Sequence, residues 1–302
     1  MQTIGVTGGT GFIGRYLLRD YQDQFQFVVV TSGASGREPV EGPSIRYVTG
    51  EYTEETFLRA FAGCDGIVHL GAKRSAADSE QAFFQYQENL AVSEAVFRAA
   101  RQLGISNVVN LSSRAVYDRD LPVPYSEEMA VSPLSFYGVS KRTVELIAAM
   151  YNKRWGMHIK SLRLAQVMGE GERPGYILTV FKERCRDGLP LSVYGQGKSG
   201  KEYVYVKDVV RAIVLALGQK EKQGVYNIGS GVFTSNRELA ETFVSVFKNP
   251  AGFQLLTDKP EEVYDCRMDV HLAEQELGFR CVYDLRAAVE DTKLEMESQG
   301  NG

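Results

Sequence analysis

The chain contains few cysteines, and they are widely separated. The four, Cys64, Cys185, Cys266 and Cys281, form no C-x-x-C pair and no closely spaced framework. Closely spaced cysteines are the signature of structural metal sites and of small disulfide-stapled domains. We therefore expect reduced thiols, no bound metal and a cytoplasmic location.

Long apolar runs and an excess of one charge are also missing. The first apolar stretch, Met1 to Val6, has no basic leader and runs straight into glycines, so it fits neither a signal peptide nor a membrane span. The 34 basic and 38 acidic residues leave a formal net charge of -4. This balance produces no bulk field that would attract nucleic acid or an anionic membrane. We expect a small-molecule ligand.

Short β-rich apolar runs alternate with stretches of helical periodicity over the first half of the 302 residues. This alternation is typical of β-α-β units and predicts a doubly wound parallel sheet of the α/β class. The predicted strands are Thr3–Val6, Phe27–Thr31, Ile45–Val48, Gly66–Leu70, Asn107–Leu111 and Ile159–Leu164. The predicted helices are Phe12–Asp20, Glu54–Ala62, Glu80–Leu103 and Leu134–Lys153.

A glycine-rich turn follows the first predicted strand. Gly8, Gly11 and Gly14 are spaced three residues apart where that strand passes into a helix. One glycine permits the tight bend, one lets a pyrophosphate approach the backbone, and one lets the helix pack close to the strand. The helix N-terminus then presents free N–H groups to the phosphates. The turn therefore predicts a Rossmann-type dinucleotide site.

The second half of the chain has a looser rhythm and no second glycine fingerprint. Its predicted elements are a helix near Gly175–Asp187, strands at Ser192–Tyr194, Tyr203–Val206 and Val225–Ile228, a helix at Asp208–Gly218, and a helix opened by the capping box of Ser235 and Glu238. We predict a dinucleotide-binding domain over residues 1–166. Residues 167–302 would form a smaller substrate lobe, with some segments returning to the main domain.

A second motif combines a tyrosine, a lysine and small hydroxyls. Tyr137 and Lys141 are four residues apart, which places both side chains on one helix face. A nearby ammonium favours the phenolate form of a phenol, so Tyr137 is a candidate acid/base. Ser112 and Ser113 follow the fifth predicted strand, at the edge where open α/β sheets bind ligands. Seen alone, these parts could equally be an ordinary helix pair and a loop turn.

Together these motifs resemble the extended short-chain dehydrogenases/reductases, the NAD-dependent epimerase/dehydratase group, over nearly the whole chain. The stretches Asp65–Ala72, Tyr203–Asp208 and Tyr226–Gly231 carry the same resemblance. It implies that Ser113 hydrogen-bonds a sugar oxygen, that Tyr137 exchanges its proton, and that Lys141 holds the nicotinamide ribose. The hydride would move between the sugar carbon and C4 of the nicotinamide.

The resemblance also implies a homodimer and further contact residues. Expected cofactor contacts come from the glycine turn, from the ends of the early strands and from the following helices. These residues are Gly8, Gly11, Phe12, Ile13, Gly14, Thr31, Ser32, Arg37, Glu51, Tyr52, Leu70, Gly71, Ala72, Asn89, Tyr137 and Lys141. Expected substrate contacts are Ser113, Gln166, Tyr194, Lys201, Lys259 and Cys266.

Several positions depart from the family pattern. Arg114 and Ala115 stand where the family's dehydratases carry an acidic pair, and a guanidinium cannot serve as their acid or base, so 4,6-dehydration is disfavoured. Lys201 and Lys259 replace two diphosphate-binding arginines, which keeps the charge but loses the bidentate fork. Both lysines could equally be solvated surface charges. Gln166 replaces an asparagine, which puts one substrate contact in doubt.

The end of the second strand bears on the choice of cofactor. Thr31 and Ser32 stand where NAD enzymes usually place an aspartate for the ribose diol. Without that carboxylate a 2′-phosphate is not repelled, and Arg37 nearby would attract it. The alternative is that Arg37 is a solvated loop charge. We therefore expect NAD or NADP.

The resemblance makes Cys266 the residue that controls substrate width. The family's epimerases place a gatekeeping side chain three residues before the position of Asp269, and a small one admits N-acetylated hexoses. We therefore predict that the pocket tolerates an N-acetyl group. The alternative is that Cys266 is a small core residue with no bearing on the substrate.

The expected function is a nucleotide-sugar epimerase, similar to UDP-hexose 4-epimerases, that works through a transient keto-sugar. The first alternative is an NADPH-dependent reductase of nucleotide-linked 4-keto-sugars. The second is a non-catalytic dinucleotide-binding regulator, which could dispense with the phenol or the lysine that this chain retains.

Overall fold

A computed structural model describes residues 1–33, 38–73 and 80–300 of the chain. Within them the strands are β1 (Gln2–Thr7), β2 (Phe25–Thr31), β3 (Ile45–Thr49), β4 (Gly66–His69), β5 (Asn107–Ser113), β6 (His158–Leu164), β7 (Gln166–Met168), β8 (Leu191–Tyr194), β9 (Gly200–Tyr205), β10 (Gly224–Ile228), β11 (Phe233–Ser235) and β12 (Phe253–Leu256). The α-helices are α1 (Phe12–Tyr21), α2 (Glu54–Phe61), α3 (Glu80–Gln102), α4 (Phe136–Trp155), α5 (Ile177–Arg186), α6 (Val206–Gly218), α7 (Asn236–Phe247), α8 (His271–Leu277) and α9 (Leu285–Gly300).

Seven strands form one parallel sheet in the spatial order β10-β6-β5-β4-β1-β2-β3. The chain builds outwards from β1 to β3, then returns to the other side of β1 and continues from β4 to β6. The order therefore reverses between β1 and β4, and ligands of such sheets bind outside the carboxyl ends of the strands at that point. The predicted doubly wound α/β fold is confirmed.

Helices cover both faces of this sheet. Helices α1 and α6 pack together on one face, and α2, α3 and α4 pack on the other. Strand β2 shows the consequence for the sequence, because Phe27 and Val29 enter one core cluster while Val28 and Val30 enter the other. A strand buried on both faces reads as a continuous apolar run.

The second half of the chain forms smaller sheets and also completes the large one. Strand β9 lies between β7 and β11, and β8 pairs with β12. Strand β10 pairs with β6 and so returns to the edge of the seven-stranded sheet. The division into two domains at Gln166 stays a prediction.

Most predicted elements lie where the patterns placed them, with shifts at their ends. Helix α4 begins at Phe136, after the Ser135 side chain accepts a hydrogen bond from the Gly138 N–H. Helix α6 begins at Val206, two residues before the predicted start. Strands β7, β11 and β12 and helices α8 and α9 were not predicted, and these strands are too short to show a period. No helix in the described ranges is long and apolar enough to span a bilayer.

Candidate active site

A cavity of about 820 Å³ lies at the carboxyl edge of the large sheet, where the strand order reverses. The glycine turn, the ends of β4 and β5, the start of α4 and the segment after β6 surround it. Predicted site residues that line it are Gly8, Gly11, Phe12, Ile13, Gly14, Leu70, Ala72, Ser113, Tyr137, Lys141 and Gln166. The structure therefore brings the glycine turn and the Ser, Tyr and Lys motif into one cavity.

The glycine turn is closed by backbone contacts and leaves the helix end free. The Gly11 N–H donates to the Gly8 carbonyl at 3.0 Å, and α1 begins directly afterwards without a side-chain cap. A Cβ atom on Gly14 would lie 2.4 Å from the Gly8 carbonyl oxygen, so only glycine allows this approach. The uncapped N–H groups suit a pyrophosphate, and the residues present fit a dinucleotide.

Ser113 is the last residue of β5 and faces the cavity. Its Oγ accepts a hydrogen bond from the Ala115 N–H at 3.2 Å, which shapes the short 3₁₀ turn that follows. A Cβ atom on Gly138 would lie 2.2 Å from the Ala115 carbonyl oxygen. The glycine beside Tyr137 therefore lets the first turn of α4 pack directly on this turn, which brings Tyr137 to the wall that Ser113 shares.

Lys141 lies one helical turn after Tyr137, as the spacing predicted. Its Nζ is 5.8 Å from the centroid of the Tyr137 ring and donates to the Leu111 carbonyl at 2.7 Å. This bond ties the lysine to the end of β5, so its charge is held beside the phenol. Arranged in this way, Tyr137 can exchange a proton with a ligand hydroxyl that also contacts Ser113.

A buried polar network holds α4 against the sheet below the cavity. The Glu145 carboxylate accepts two bonds from the Arg163 guanidinium, at 2.8 and 2.7 Å, and one from the Ser112 hydroxyl at 2.6 Å. Arg163 also donates to the Tyr117 hydroxyl, which in turn donates to Asn227. The network joins α4 to β5, β6 and β10.

Both ring nitrogens of the buried His69 have hydrogen-bond partners inside the protein. Its ring nitrogens lie 2.6 Å from the Thr7 Oγ1 and 2.9 Å from the Ser93 Oγ. Burial, together with the charge of Lys141, lowers the pKa of His69 to about 3. The imidazole is therefore neutral at physiological pH and holds the strand ends in place.

Several predicted cofactor residues lie outside the cavity wall. Thr31, Ser32, Glu51 and Tyr52 are at the ends of β2 and β3, beyond the glycine turn. Gly71 donates its N–H to Thr7, and Asn89 exchanges two 2.7 Å bonds with the backbone of Lys73. Arg37 lies outside the described residues. These cofactor roles stay predictions.

The same holds for four predicted substrate residues. Tyr194 and Lys259 are exposed, and Lys201 lies on β9 opposite Thr234. Cys266 is fully buried. None of the four lines the cavity, whereas Tyr264, two residues before Cys266, does.

The cavity also contains side chains that the motifs did not identify. They are Arg119, Tyr125, Glu172, Arg173, Tyr176 and Tyr264. The Arg119 guanidinium lies 4.7 Å from the Tyr264 ring centroid and pairs with Glu262 at 2.8 Å, so it bridges the two halves of the chain. These residues come from three loops that are far apart in the chain, and no spacing in the sequence could have grouped the loops. In the described ranges no group of His, Cys, Asp and Glu could hold a metal ion.

Comparisons with known proteins agree with this geometry. Residues 4–229 match the NAD dependent epimerase/dehydratase family. A UDP-glucose 4-epimerase of Mycolicibacterium smegmatis is 29% identical over 296 residues, which cover 93% of each chain. The solved UDP-N-acetylglucosamine 4-epimerase of Bacillus cereus is 28% identical, with a TM-score of 0.87 over 98% of this chain and 97% of that one. A dTDP-glucose 4,6-dehydratase of Streptomyces venezuelae, solved with NAD bound, is 26% identical, with a TM-score of 0.84 over 99% and 98%.

A doubly wound parallel sheet, with a glycine turn and a Ser, Tyr and Lys set at its switch point, defines a dinucleotide-dependent enzyme. The chain belongs to the NAD-dependent epimerase/dehydratase family. It is an enzyme of the extended short-chain dehydrogenase/reductase type, and its cofactor is a nicotinamide dinucleotide.

Proposed function

We propose that this enzyme epimerises a nucleotide-linked hexose at C4 through a transient keto-sugar. The observation that carries the proposal is that Ser113, Tyr137 and Lys141 line the same cavity as the glycine turn. The similarity to a UDP-glucose 4-epimerase and to a UDP-N-acetylglucosamine 4-epimerase supports it. Arg114 and Ala115 argue against 4,6-dehydration, because neither side chain can act as the required acid or base.

Each group of cavity residues has its own role in this epimerisation. The glycine turn and the free end of α1 hold the pyrophosphate, and Lys141 holds the nicotinamide ribose beside Tyr137. Bound NAD supplies a hydride acceptor that becomes a hydride donor. Tyr137, as phenolate, takes the proton of the C4 hydroxyl while that carbon loses its hydride and becomes a carbonyl. Ser113 donates a hydrogen bond to the same oxygen.

The keto-sugar then rotates in the cavity and presents the other face of C4 to the nicotinamide. The hydride returns to C4, and Tyr137 gives its proton back to the oxygen, so the enzyme and cofactor end as they began. The Lys141 ammonium lies beside the Tyr137 ring, 5.8 Å from its centroid, throughout these steps.

One observation favours a second candidate, an NADPH-dependent reductase of 4-keto-sugars. The end of β2 carries Thr31 and Ser32 and no carboxylate that would repel a 2′-phosphate. A reductase would use the same Ser113, Tyr137 and Lys141, with the hydride supplied from outside in every turnover. A non-catalytic regulator would have no need for all three side chains.

Purification of the protein without added cofactor separates these candidates. An epimerase regenerates its dinucleotide in every cycle, so tightly held NAD should co-purify, and interconversion of UDP-glucose and UDP-galactose should need no added reductant. A protein that purifies empty and consumes one NADPH for each keto-sugar would be a reductase. A protein that binds dinucleotide and converts neither substrate would be a regulator.

A homodimer belongs to the same proposal. Four apolar side chains on one face of α4, Phe136, Val139, Leu146 and Met150, are between 40% and 53% exposed, and Phe83 of α3 extends the patch with its ring 5.7 Å from that of Phe136. A continuous apolar helix face of this kind suits a second copy of the chain. Sedimentation equilibrium should give a dimer, and Leu146→Glu should give a monomer because it places a charge in this apolar patch. Leu294→Glu, at a position of α9 that is 62% exposed against 53% for Leu146, is the matched control and should stay dimeric. A cytoplasmic location stays a prediction.

A further inference from the structure

The ring of Tyr137 lies at a point of α4 where the helix itself gives it little support. Side chains of an α-helix lean towards its N-terminus and rest on the turn before their own. Helix α4 begins at Phe136, after the Ser135 cap, so no helical turn precedes Tyr137. The next residue, Gly138, has no side chain that could pack beside the ring. The orientation of the phenol is therefore set by contacts with other parts of the molecule.

One such contact comes from Tyr86 on the neighbouring helix α3. The centroids of the Tyr86 and Tyr137 rings are 5.9 Å apart, and the ring planes are inclined by 53°. Aromatic rings attract one another in such a geometry, at centroid separations of about 4.5–7 Å. Tyr86 is only 6% exposed, so its ring is enclosed by protein. The Tyr137 ring is thus in contact with the Tyr86 ring, and the Lys141 ammonium lies 5.8 Å from its centroid.

Polar contacts fix the part of α3 that carries Tyr86. Asn89 and Ser93 follow Tyr86 at helical spacing, so the three side chains share one face of α3. Asn89 exchanges two 2.7 Å hydrogen bonds with the backbone of Lys73. The Ser93 Oγ lies 2.9 Å from the Nε2 atom of His69, the last residue of β4. This face of α3 is therefore tied to the end of β4, and Tyr86 is held in place beside Tyr137.

From these contacts we propose that Tyr86 is a positioning residue, whose ring holds the Tyr137 phenol in the orientation needed for proton transfer. Tyr86 is not among the described residues that line the cavity, so it acts through Tyr137. The inference rests on the proposed function, in which Tyr137 exchanges a proton with the C4 hydroxyl. Proton transfer requires the two oxygens to lie within hydrogen-bond reach, and a small misplacement of a reacting group lowers the rate steeply. Loss of the Tyr86 ring should therefore slow the chemical step rather than weaken binding.

The test compares Tyr86→Leu with Phe97→Leu in the holoenzyme. Phe97 is the matched control, because it is also buried on α3 and its ring lies 5.9 Å from that of Tyr151 on α4. Tyr86→Leu should lower kcat for the interconversion of UDP-glucose and UDP-galactose by about 10-fold or more, with KM and dinucleotide affinity within about 2-fold of the wild type. Phe97→Leu should leave kcat within about 2-fold. Tyr86→Phe keeps the ring and should keep kcat near the wild-type value.

Two kinetic results would overturn the inference. The first is an equal change of kcat in Tyr86→Leu and Phe97→Leu, which would make the Tyr86 ring an ordinary packing contact between the two helices. The second is a loss in Tyr86→Phe as large as that in Tyr86→Leu, which would assign the effect to the Tyr86 hydroxyl instead of its ring.

An NMR measurement tests the same contact without any turnover. In the holoenzyme labelled with ¹³C in its tyrosine rings, the signals of Tyr137 are those that Tyr137→Phe removes. They should be sharp in the wild type and in Phe97→Leu, and they should broaden or split in Tyr86→Leu because the phenol then takes up more than one orientation. Unchanged line widths in Tyr86→Leu would contradict the inference. A wild type that converts neither UDP-hexose would contradict the proposed function and leave this NMR comparison valid.

Discussion

The Glu145 carboxylate and the Arg163 guanidinium form a bidentate pair, with oxygen to nitrogen distances of 2.8 and 2.7 Å, beneath helix α4. Neither side chain is more than 1% exposed. The pair joins α4, which carries Tyr137 and Lys141, to β6 of the large sheet. The positions of Tyr137 and Lys141 therefore depend on a contact below the cavity floor.

Loss of one partner of this pair should cost far more stability than loss of both. Arg163→Leu leaves the buried Glu145 carboxylate with only the partly exposed Arg142 as a counter-charge, and it should lower the free energy of unfolding by about 3–5 kcal/mol. The double variant Glu145→Leu with Arg163→Leu should lose less than either single variant. Arg142→Leu, which breaks a half-exposed contact of the same carboxylate, should cost under about 1 kcal/mol. Urea unfolding measures all four, and additive single effects would contradict the account.

Removal of the Tyr137 hydroxyl should stop the chemistry without disturbing the fold. Tyr137→Phe should lower turnover by a factor on the order of a hundred or more and leave dinucleotide binding nearly unchanged. The measurements are single-turnover kinetics and a dinucleotide titration of the same preparation. Turnover within a few-fold of the wild type would rule out Tyr137 as the acid/base.

The choice between NAD and NADP should depend on the end of β2. With Thr31 in place of a carboxylate, NADP(H) should bind at least as tightly as NAD(H), and Thr31→Asp should weaken NADP(H) selectively by charge repulsion. Arg37→Ala should weaken the phosphorylated form alone. Paired calorimetric titrations decide the matter, and a clear preference for NAD(H) that neither substitution changes would refute the expectation.

The burial of Cys266 gives its substitution a measurable signature. Cys266→Tyr inserts a ring into a fully buried position and should cost about 1–3 kcal/mol of stability. If Cys266 were instead an open gatekeeper, the variant should keep its melting temperature and lose only the turnover of N-acetylhexose nucleotides. Thermal unfolding and assays with UDP-glucose and UDP-N-acetylglucosamine separate the two outcomes.

The sheet and the meeting of Ser113, Tyr137 and Lys141 in one cavity could be predicted because each follows from local sequence. Continuous apolar runs such as Phe27–Thr31 identify buried parallel strands, and the spacing of Tyr137 and Lys141 is a local helical relationship. Ser113 could be placed because a strand end fixes the edge of the sheet where it lies. The glycine turn could be predicted because the spacing of its glycines has a direct steric reason.

The rest of the cavity depends on contacts between distant segments. Arg119 and Tyr264 meet across the cavity although 145 positions separate them, and no periodicity records that pairing. Arg114 was noticed for the chemistry it cannot perform, whereas its place in the cavity lining appears only in the structure. The gatekeeper role of Cys266 was assigned by alignment with the family's sequence pattern, and an alignment does not report whether a side chain is buried.

Turnover of a nucleotide hexose in D₂O tests the central claim most directly. If the hydride leaves C4 and returns to the same carbon, the 4-epimer should form without added reductant, and its C4 position should contain no solvent deuterium by NMR. Deuterium at C4, or product that appears only in proportion to consumed NADPH, would contradict epimerisation through a transient keto-sugar.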